Sequence, residues 1–233
     1  MGTRRARAVS ARVLRVLRMN AEGVAVGDAI ERSRRRADAS GTPTIYFVRH
    51  GETDWNLVAR LQGQKDIPLN DLGRVQAEEA GRRLRGLVER CDDLDYVASP
   101  MDRTRETMER LRDAIGLETT GYRLDERLVE LTFGDWEGLT WKELRRRHPE
   151  AAAARQRDKW GYVPPRGESY AMLAERVRPV LEDLTRDTVM VSHGGVARAL
   201  LALLGGVPAR EAASVDIWQG KVLVIRGPHH RWA

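Results

Sequence analysis

The chain has 233 residues and a formal net charge of +6, with 42% hydrophobic and 32% charged residues. This length and composition fit a globular protein with one main domain, and no apolar run approaches the roughly 18 residues of a membrane helix. Cys91 is the only cysteine, which excludes a disulfide within the chain and favours a reducing compartment, so we expect a cytoplasmic protein.

The first 40 residues differ from the rest in charge. They contain ten arginines and four acidic residues, so the net charge of +6 lies entirely within them. Their apolar residues are too scattered for a secretory signal. We therefore expect residues 1–40 to be a basic, disordered N-terminal extension and residues 41–233 to form the functional domain. A short basic amphipathic helix that binds an anionic surface is the alternative for the extension, whereas no nucleic-acid partner is expected for the domain.

Short β-rich segments recur along residues 41–233. Thr44–Val48 follows a breaker cluster of Ser, Gly, Thr and Pro, and its apolar residues predict a buried strand. Residues 96–98 and 188–191 have the same character. Two further strands are predicted near the C-terminus, at 215–218 and 222–225, and the pair His229-His230 after them is interpreted as a solvated tail.

Segments with helical periodicity separate these strands. Asn70-Asp71 is a typical helix start, and the run after it is expected to place five apolar residues on one face: Val75, Ala77, Ala80, Leu84 and Leu87. Further helices are predicted over 102–114, 168–185 and 196–204. The alternation of strands with helices of this length predicts an α/β fold, in which three layers, α/β/α, enclose a largely parallel central sheet.

Polar clusters follow three of the predicted strands directly. Residues 49–53 (RHGET) follow the first strand, residues 99–103 (SPMDR) the second, and residues 192–195 (SHGG) the apolar strand near the C-terminus. Because ligands bind at the carboxyl ends of parallel strands, we expect two histidines and two arginines to share one crevice. Arginine forks match the oxygens of a phosphoryl group, and a neutral imidazole can attack phosphorus, so this set favours phosphoryl transfer.

The run RHGETDWN (49–56) resembles the signature of the histidine phosphatase superfamily, also called the phosphoglycerate-mutase-like family. Five later segments resemble that family in the same order: GQKDIPLNDLGRVQAEEAG (63–81), SPMDRTRET (99–107), ELTFGDWEG (130–138), RGESY (166–170) and VSHGGVAR (191–198). The similarity spans roughly residues 44–226. It implies a phosphoglycerate-mutase-like fold and a phosphatase that acts on a small phosphomonoester, and we expect no metal or cofactor because arginines and a histidine replace the cation.

The resemblance also implies a role for each residue of the pocket. His50 would be the nucleophile that takes the phosphoryl group, and we expect its other ring nitrogen to donate to a backbone carbonyl near Gly51. Glu130 would protonate the leaving oxygen and then activate water. The remaining catalytic and substrate-binding residues would be Arg49, Arg103 and His193 around the phosphate, Asn56 closing the first loop, Gln62 and Gly63 at the substrate mouth, and Gly194 beside the ligand.

Several alternatives remain open. Glu126, four residues before Glu130, could be the acid instead. A phosphoglycerate mutase-type isomerase would use the same phosphohistidine, but it needs a long segment after the acid to exclude water, and only about 30 residues separate Gly138 from residues 167–169. Leu131 also stands where the mutase branch has arginine. We therefore favour a phosphatase over a mutase and over a non-catalytic phospholigand-binding module.

The substrate is not defined by these patterns. Candidates by resemblance are sugar phosphates, phosphoglycerates, nucleotide-pathway esters and α-ribazole phosphate. Specificity should lie in residues 139–166, where five arginines could contact a second anionic group of the substrate: Arg145, Arg146, Arg147, Arg155 and Arg157. The oligomeric state is open.

Overall fold

The computed structural model describes residues 43–233, so the predicted extension at 1–40 lies outside the described residues. Six strands are present in this part of the chain: β1 (Ile45–Arg49), β2 (Asp95–Ala98), β3 (Arg123–Leu124), β4 (Thr188–Ser192), β5 (Leu223–Arg226) and β6 (His229–Trp232). Its α-helices are α1 (Asp54–Leu57), α2 (Asp71–Arg85), α3 (Asp102–Ala114), α4 (Trp141–Arg147), α5 (Pro149–Arg157), α6 (Tyr170–Glu182), α7 (Gly194–Leu203) and α8 (Ala209–Ala212). No helix in this part is long and apolar enough to cross a membrane.

The strands form one sheet in the order β3-β2-β4-β1-β5-β6. Strands β1 to β4 run parallel, whereas β5 pairs with β1, and β6 with β5, in antiparallel fashion. The predicted, largely parallel sheet is confirmed. Strands β1 and β4 pair from Ile45 opposite Thr188 to Arg49 opposite Ser192, so both end at the same level of the sheet.

Alternate residues of the central strands point to opposite faces and pack into two separate cores. Phe47 and Met190 belong to the core built with helices α6 and α7. Val48 and Val191, their neighbours in the chain, belong to the core built with helices α2 and α3. Helices therefore cover both faces of the sheet, and the three-layer α/β/α arrangement is confirmed.

Helix α2 begins where the sequence predicts, because the side chain of Asn70 accepts a hydrogen bond from the N–H of Gly73. Its buried face differs from the predicted one. Val75 is 55% exposed, although Ala77 is buried. Two residues correspond to about 200° around a helix, so Val75 and Ala77 cannot share a face.

Two predictions near the C-terminus are wrong. Residues 215–218 do not form a strand. The next residue, Gln219, pairs with Arg49 only through an isolated β-bridge. His229-His230 is not a free tail, because both residues lie in edge strand β6 and His230 Nδ1 donates to the carbonyl of Gly205 at 2.8 Å. The segment HHRW lacks the apolar alternation that identifies a strand in sequence.

The sequence analysis also missed helices α4 and α5. Thr140 and Glu143 form a capping box at the start of α4, and Pro149 occupies the first turn of α5. Both helices are short and mainly polar or alanine-rich, so neither shows a clear apolar stripe. They matter for function because they form one wall of the pocket described next.

Candidate active site

Strand register places His50 beside His193. These residues follow β1 and β4 directly, and the N–H of His50 donates to the carbonyl of Ser192 at 2.9 Å. The two imidazole rings lie 5.3 Å apart between centroids, at an angle of 60°. Ser99, which follows β2, joins the same edge because its N–H donates to the carbonyl of Val191 at 3.0 Å. The three strand-end clusters therefore meet at one edge of the sheet, as expected.

His50 is buried, and one of its ring nitrogens is fixed by the backbone. Nδ1 lies 2.8 Å from the carbonyl oxygen of Gly51, which can only accept, so Nδ1 carries the proton. Burial, together with the positive charges of Arg103 and Arg49, holds the pKa of His50 well below its usual value. The ring is therefore neutral, with the lone pair on Nε2, in agreement with the expected donation to the Gly51 region.

His193 is fully buried and interacts with a hydroxyl group. Its Nε2 lies 2.8 Å from Ser99 Oγ. Burial, followed by the charge of Arg103, also holds the pKa of His193 well below its usual value. A Ser99 hydroxyl that donates to Nε2 leaves the ring proton on Nδ1, which faces no hydrogen-bond acceptor in residues 43–233.

Arg49 and Arg103 are buried cations beside the histidines. Arg49 Nη1 donates to the carbonyl of Ile217 at 2.9 Å. Burial, followed by the nearby charge of Arg198, lowers the pKa of Arg49 to about 10. Arg103 is 1% exposed, and burial lowers its pKa too, although the charge of Glu130 opposes this. Both arginines thus concentrate positive charge at the carboxyl edge of the sheet.

The loop at residues 62–65 packs against Arg103. Arg103 Nη1 donates to the carbonyl of Lys65 at 2.8 Å, and Nη2 donates to the carbonyl of Gly63 at 2.9 Å. Gly63 has a φ of +51°, and a side chain there would collide with Glu137, so glycine is required. Gln62 is buried and lines the pocket. The loop therefore borders the pocket through Gln62 and Gly63.

Four buried side-chain atoms around the pocket have no hydrogen-bond partner within residues 43–233: Arg49 Nε, Arg103 Nε, His193 Nδ1 and Gln62 Oε1. Buried polar groups in native proteins are nearly always paired, so an unpaired cluster calls for an explanation. The three nitrogens can donate to an anion, and charge-assisted bonds of this kind are the strong ones. A tetrahedral oxyanion beside His50 could accept hydrogen bonds from these three nitrogens, although not from Gln62 Oε1.

Glu130 is held by two backbone N–H groups. Its Oε1 accepts from the N–H of Leu131 at 2.9 Å, and its Oε2 accepts from the N–H of Gly195, in the first turn of α7, at 3.0 Å. A side chain at position 195 would collide with the carboxylate, so this approach requires glycine. Glu130 lines the pocket, whereas Glu126 is exposed and does not line it. Of the two glutamates, Glu130 is therefore the one that lies in the pocket.

Gln219 is a site residue that the sequence analysis did not find. Its Nε2 donates to the carbonyl of His50 and to Asn56 Oδ1, both at 3.1 Å. Asn56 Oδ1 also accepts from the N–H of Thr53 at 3.2 Å, within the capping box of α1. The amide oxygen of Asn56 thus already accepts hydrogen bonds from these donors. Its NH2 group is therefore the part of the amide that can donate to a ligand in the pocket, which Asn56 lines.

Arg49, His50, Asn56, Arg103 and Glu130 line one pocket of about 840 Å³, together with residues of α4, α5 and α7. His193 and Gln219 contact lining residues but do not line the pocket themselves. Gly194 also lines it. The charged lining residues are mainly cations: Arg49, Arg60, Arg103, Arg145, Arg155, Lys159 and Arg198, with Glu130 and Asp216 as the acids. Residues 43–233 hold no group of three or more His, Cys, Asp or Glu side chains placed to bind a metal ion.

Two of the five arginines that were predicted to contact a second anionic group line this pocket: Arg145 and Arg155. The other three are exposed and do not line it: Arg146, Arg147 and Arg157. Residues 139–166 therefore supply part of the pocket wall, and Arg155 is the one arginine of the five that is buried.

Comparison with known sequences identifies relatives along most of the chain. The model of the histidine phosphatase superfamily (branch 1) matches residues 45–233. Glucosyl-3-phosphoglycerate phosphatase of Mycolicibacterium vanbaalenii is 34% identical over 186 residues, which are 75% of this chain and 76% of that protein. The 2,3-bisphosphoglycerate-dependent phosphoglycerate mutase of Mesorhizobium japonicum is 31% identical over 192 residues, which are 78% of this chain and 91% of that protein.

A solved structure shares both the fold and part of the sequence. A mycobacterial glucosyl-3-phosphoglycerate phosphatase, in complex with VO3, superposes with a TM-score of 0.68 at 31% identity. The match covers 82% of this chain and 97% of that chain.

Proposed function

The chain belongs to the histidine phosphatase superfamily, and we propose that it hydrolyses a small phosphomonoester through a phosphohistidine on His50. The observation that carries this proposal is a neutral His50, with Nδ1 held by Gly51, next to the unpaired donors of Arg49 and Arg103. A nucleophile with an available lone pair thus lies beside donors suited to a phosphoryl group.

In the first step, His50 Nε2 forms a bond to phosphorus while the bond from phosphorus to the ester oxygen breaks. Glu130, in its protonated form, gives its proton to that oxygen, and the alcohol leaves. The equatorial oxygens gain charge in the transition state, and we assign Arg49, Arg103 and His193 to stabilise that charge. Throughout the reaction, Nδ1 of His50 keeps its proton and its hydrogen bond to the carbonyl oxygen of Gly51.

In the second step, the Glu130 carboxylate takes a proton from water as the water oxygen attacks phosphorus. The bond between phosphorus and Nε2 breaks, which releases phosphate and restores neutral His50 and protonated Glu130. The substrate-binding residues in this scheme are Asn56, whose NH2 group closes the first loop over the phosphate, Gln62 and Gly63 at the mouth, and Gly194 beside the ligand.

The main alternative is a mutase, which would return the phosphoryl group to a second hydroxyl of the bound intermediate. A mutase must exclude water from the phosphoenzyme. In this chain the segment after Glu130 supplies helices α4 and α5 as one wall, and exposed residues such as Gln156 and Asp216 also line the pocket. Leu131, which follows the acid, offers no charge to enclose an intermediate. Hydrolysis fits this pocket better.

We extend the proposal to the setting of the reaction. The buried arginines supply the positive charge that a metal would otherwise provide, and neutral His193 adds an N–H donor, so the reaction is metal-independent. The catalytic domain is residues 41–233, with 1–40 as an extension. A single cysteine, Cys91, is compatible with a cytoplasmic location.

The test is phosphate release by the purified protein from a panel of phosphomonoesters, with and without a chelator. The panel includes 3-phosphoglycerate with its 2,3-bisphosphate primer. Phosphate release that survives the chelator and is abolished by His50→Ala supports the proposal, with His148→Ala as a matched change at an exposed histidine. Transfer between hydroxyls without release selects the mutase, and tight phosphate binding without turnover selects a binding module.

A further inference from the structure

Arg176 of helix α6 holds the backbone just before Glu130. Its Nη1 donates to the carbonyl of Arg127 at 2.8 Å and to the carbonyl of Val129 at 2.9 Å. Backbone carbonyls away from water need a hydrogen-bond partner, and here one guanidinium nitrogen serves two of them. The path of the chain as it approaches the acid therefore depends on a side chain of α6, which does not itself line the pocket.

Glu168, which precedes α6, holds both Arg176 and the backbone after Glu130. Its two carboxylate oxygens accept from Nε and Nη2 of Arg176 at 3.0 and 2.7 Å, in a bidentate pair. Its own N–H donates to the carbonyl of Thr132 at 2.9 Å. One ion pair therefore contacts the loop on both sides of the acid.

The pair uses the fork geometry that only arginine offers. Nε and Nη2 of Arg176 face the carboxylate while Nη1 faces the two carbonyls, and a lysine, with one nitrogen, cannot face both in this way. The side chains are 26% exposed for Arg176 and 13% for Glu168, so solvent screens this pair less than a surface pair. Arg178 on the same helix, by contrast, is exposed and pairs with exposed Glu175 at 2.9 Å.

Two further contacts hold the loop that carries Glu130. Ser192 Oγ donates to the carbonyl of Leu128 at 2.7 Å, which ties the loop to the end of β4. Gln64 Nε2 donates to the carbonyl of Glu130 at 3.1 Å, although Gln64 is exposed. Because these contacts do not involve Arg176, its removal should displace the Glu130 carboxylate without unfolding the loop.

We propose that Arg176 and Glu168 are positioning residues that place the Glu130 carboxylate for proton transfer. The inference rests on the proposed function, since it takes Glu130 as the group that protonates the leaving oxygen. A general acid acts only within hydrogen-bond reach of its target, so a small shift of the loop is enough to weaken it. The phosphate donors Arg49 and Arg103 come from other elements and should keep their places.

The first test compares phenyl phosphate with p-nitrophenyl phosphate, two esters that differ in how much the leaving oxygen needs a proton. The kcat and KM of each ester are measured for the full chain and for three variants: Arg176→Gln, Arg176→Lys and Glu168→Gln. Arg178→Gln is the matched change at the exposed arginine of the same helix. Glu130→Gln gives the effect of losing the acid itself.

We expect Arg176→Gln to lower kcat for phenyl phosphate by roughly ten- to hundredfold, the scale of a misplaced catalytic group, with little change in KM. The loss for p-nitrophenyl phosphate should be much smaller. Partial unfolding would lower both esters equally, so the ratio between them reports on the acid. Arg176→Lys should recover little of the ratio, and Glu168→Gln should shift it in the same direction but less, because its N–H still reaches Thr132.

Three kinetic results would overturn the positioning role. They are equal losses for the two esters in Arg176→Gln, full recovery in Arg176→Lys, and a shift of the same size in Arg178→Gln. The double variant Glu130→Gln, Arg176→Gln completes a cycle. Once the acid is gone, loss of Arg176 should hardly change the ratio further, whereas additive effects would mean that Arg176 does not act through Glu130.

Amide hydrogen exchange separates this inference from the proposed reaction. The N–H groups of Leu131 and Gly195 donate to Glu130, so they should exchange faster in Arg176→Gln and unchanged in Arg178→Gln. Faster exchange in a protein that hydrolyses neither ester would retain the positioning of Glu130 and reject the hydrolase. Hydrolysis that depends on Glu130, with the ratio and the exchange unchanged in Arg176→Gln, would retain the hydrolase and reject the positioning role.

Discussion

The carboxylate of Glu130 lies 3.0 Å from the backbone N–H of Gly195, at the first turn of helix α7. The same helix follows His193, so the acid and the second histidine are positioned by one structural element. A helix N-terminus attracts negative charge, and the absence of a side chain at 195 gives the carboxylate room. Glu130 thereby reaches the pocket although it comes from a loop.

Replacing Glu130 by Gln should slow the reaction by about 10²- to 10⁴-fold, the usual contribution of a general acid or base. The loss should be larger for alkyl phosphates than for p-nitrophenyl phosphate, because a good leaving group needs less protonation. Steady-state kcat/KM on both kinds of ester is the measurement. Glu126→Gln, which changes the exposed glutamate that was the alternative acid, is the control. A comparable loss in that variant would show that the assignment of the acid to Glu130 is wrong.

Gly195→Val should also lower kcat, because the new side chain occupies the space of the Glu130 carboxylate. The affinity for vanadate or phosphate should fall much less, since the arginines remain in place. Gly194→Ala is the comparison, because its Cβ would meet atoms at the ordinary contact distances of 3.4 and 3.7 Å, and it should lose far less activity. Similar losses in the two variants would show that Gly195 does not act through Glu130.

Gln219 should be coupled to Asn56. Gln219→Leu removes the donor that engages Asn56 Oδ1, so the amide can turn and its NH2 group no longer faces the pocket reliably. Phosphate inhibition constants should rise roughly fivefold or more, in line with one lost hydrogen bond. A double-mutant cycle with Asn56→Leu measures the coupling. Strictly additive effects would mean that Gln219 does not position Asn56.

Stability should decrease on acidification because His50 and His193 are held neutral. The pKa of each lies well below the ordinary 6.5 in the folded protein, so the unfolded chain binds more protons as the pH falls through that value. The stabilisation that the folded state gains from its two neutral histidines is fully present above pH 6.5 and is lost below it. The loss amounts to no more than about 1.4 kcal/mol per pH unit for each histidine. Urea unfolding at a series of pH values from roughly 7.5 to 5.5, on both sides of the ordinary histidine pKa, measures how the free energy of unfolding changes with pH.

Two variants make the acid-stability prediction specific. His50→Gln should flatten the dependence of the unfolding free energy on pH, since one neutral buried histidine is removed. His148→Gln makes the same change at an exposed position. A slope in His50→Gln equal to that of the unchanged protein would contradict the assignment of a neutral His50.

The sequence was sufficient for the parts of the site that follow strands directly. His50 and His193 come immediately after apolar runs, so the parallel sheet alone brings them together. Gln219 could not be found in this way, because it contacts His50 across 169 residues and lies in a segment with no periodic pattern. Its position depends on the antiparallel strand β5 that follows it and on the isolated bridge with Arg49.

The arginines after residue 140 show the same limit. Arg155 and Arg157 lie two residues apart in a helix whose apolar residues are mostly alanine, so the sequence does not indicate which of them is buried. The structure buries Arg155 against Trp141 and Phe133, whereas Arg157 is exposed. Which of the two arginines is buried depends on packing against residues from other elements, and this packing cannot be inferred from the periodicity of the sequence.

The most direct test of the central claim is to trap the phosphoenzyme. The protein and its Glu130→Gln variant are mixed with p-nitrophenyl phosphate, whose leaving group needs little protonation, then quenched within one turnover in alkali and digested for mass spectrometry. We predict one phosphoryl group, stable in base and labile in acid, on the peptide that contains His50, with more of it in the variant because water attack is slowed. Steady phosphate release with no phosphoryl group on His50, or with the group on another residue, would contradict the mechanism.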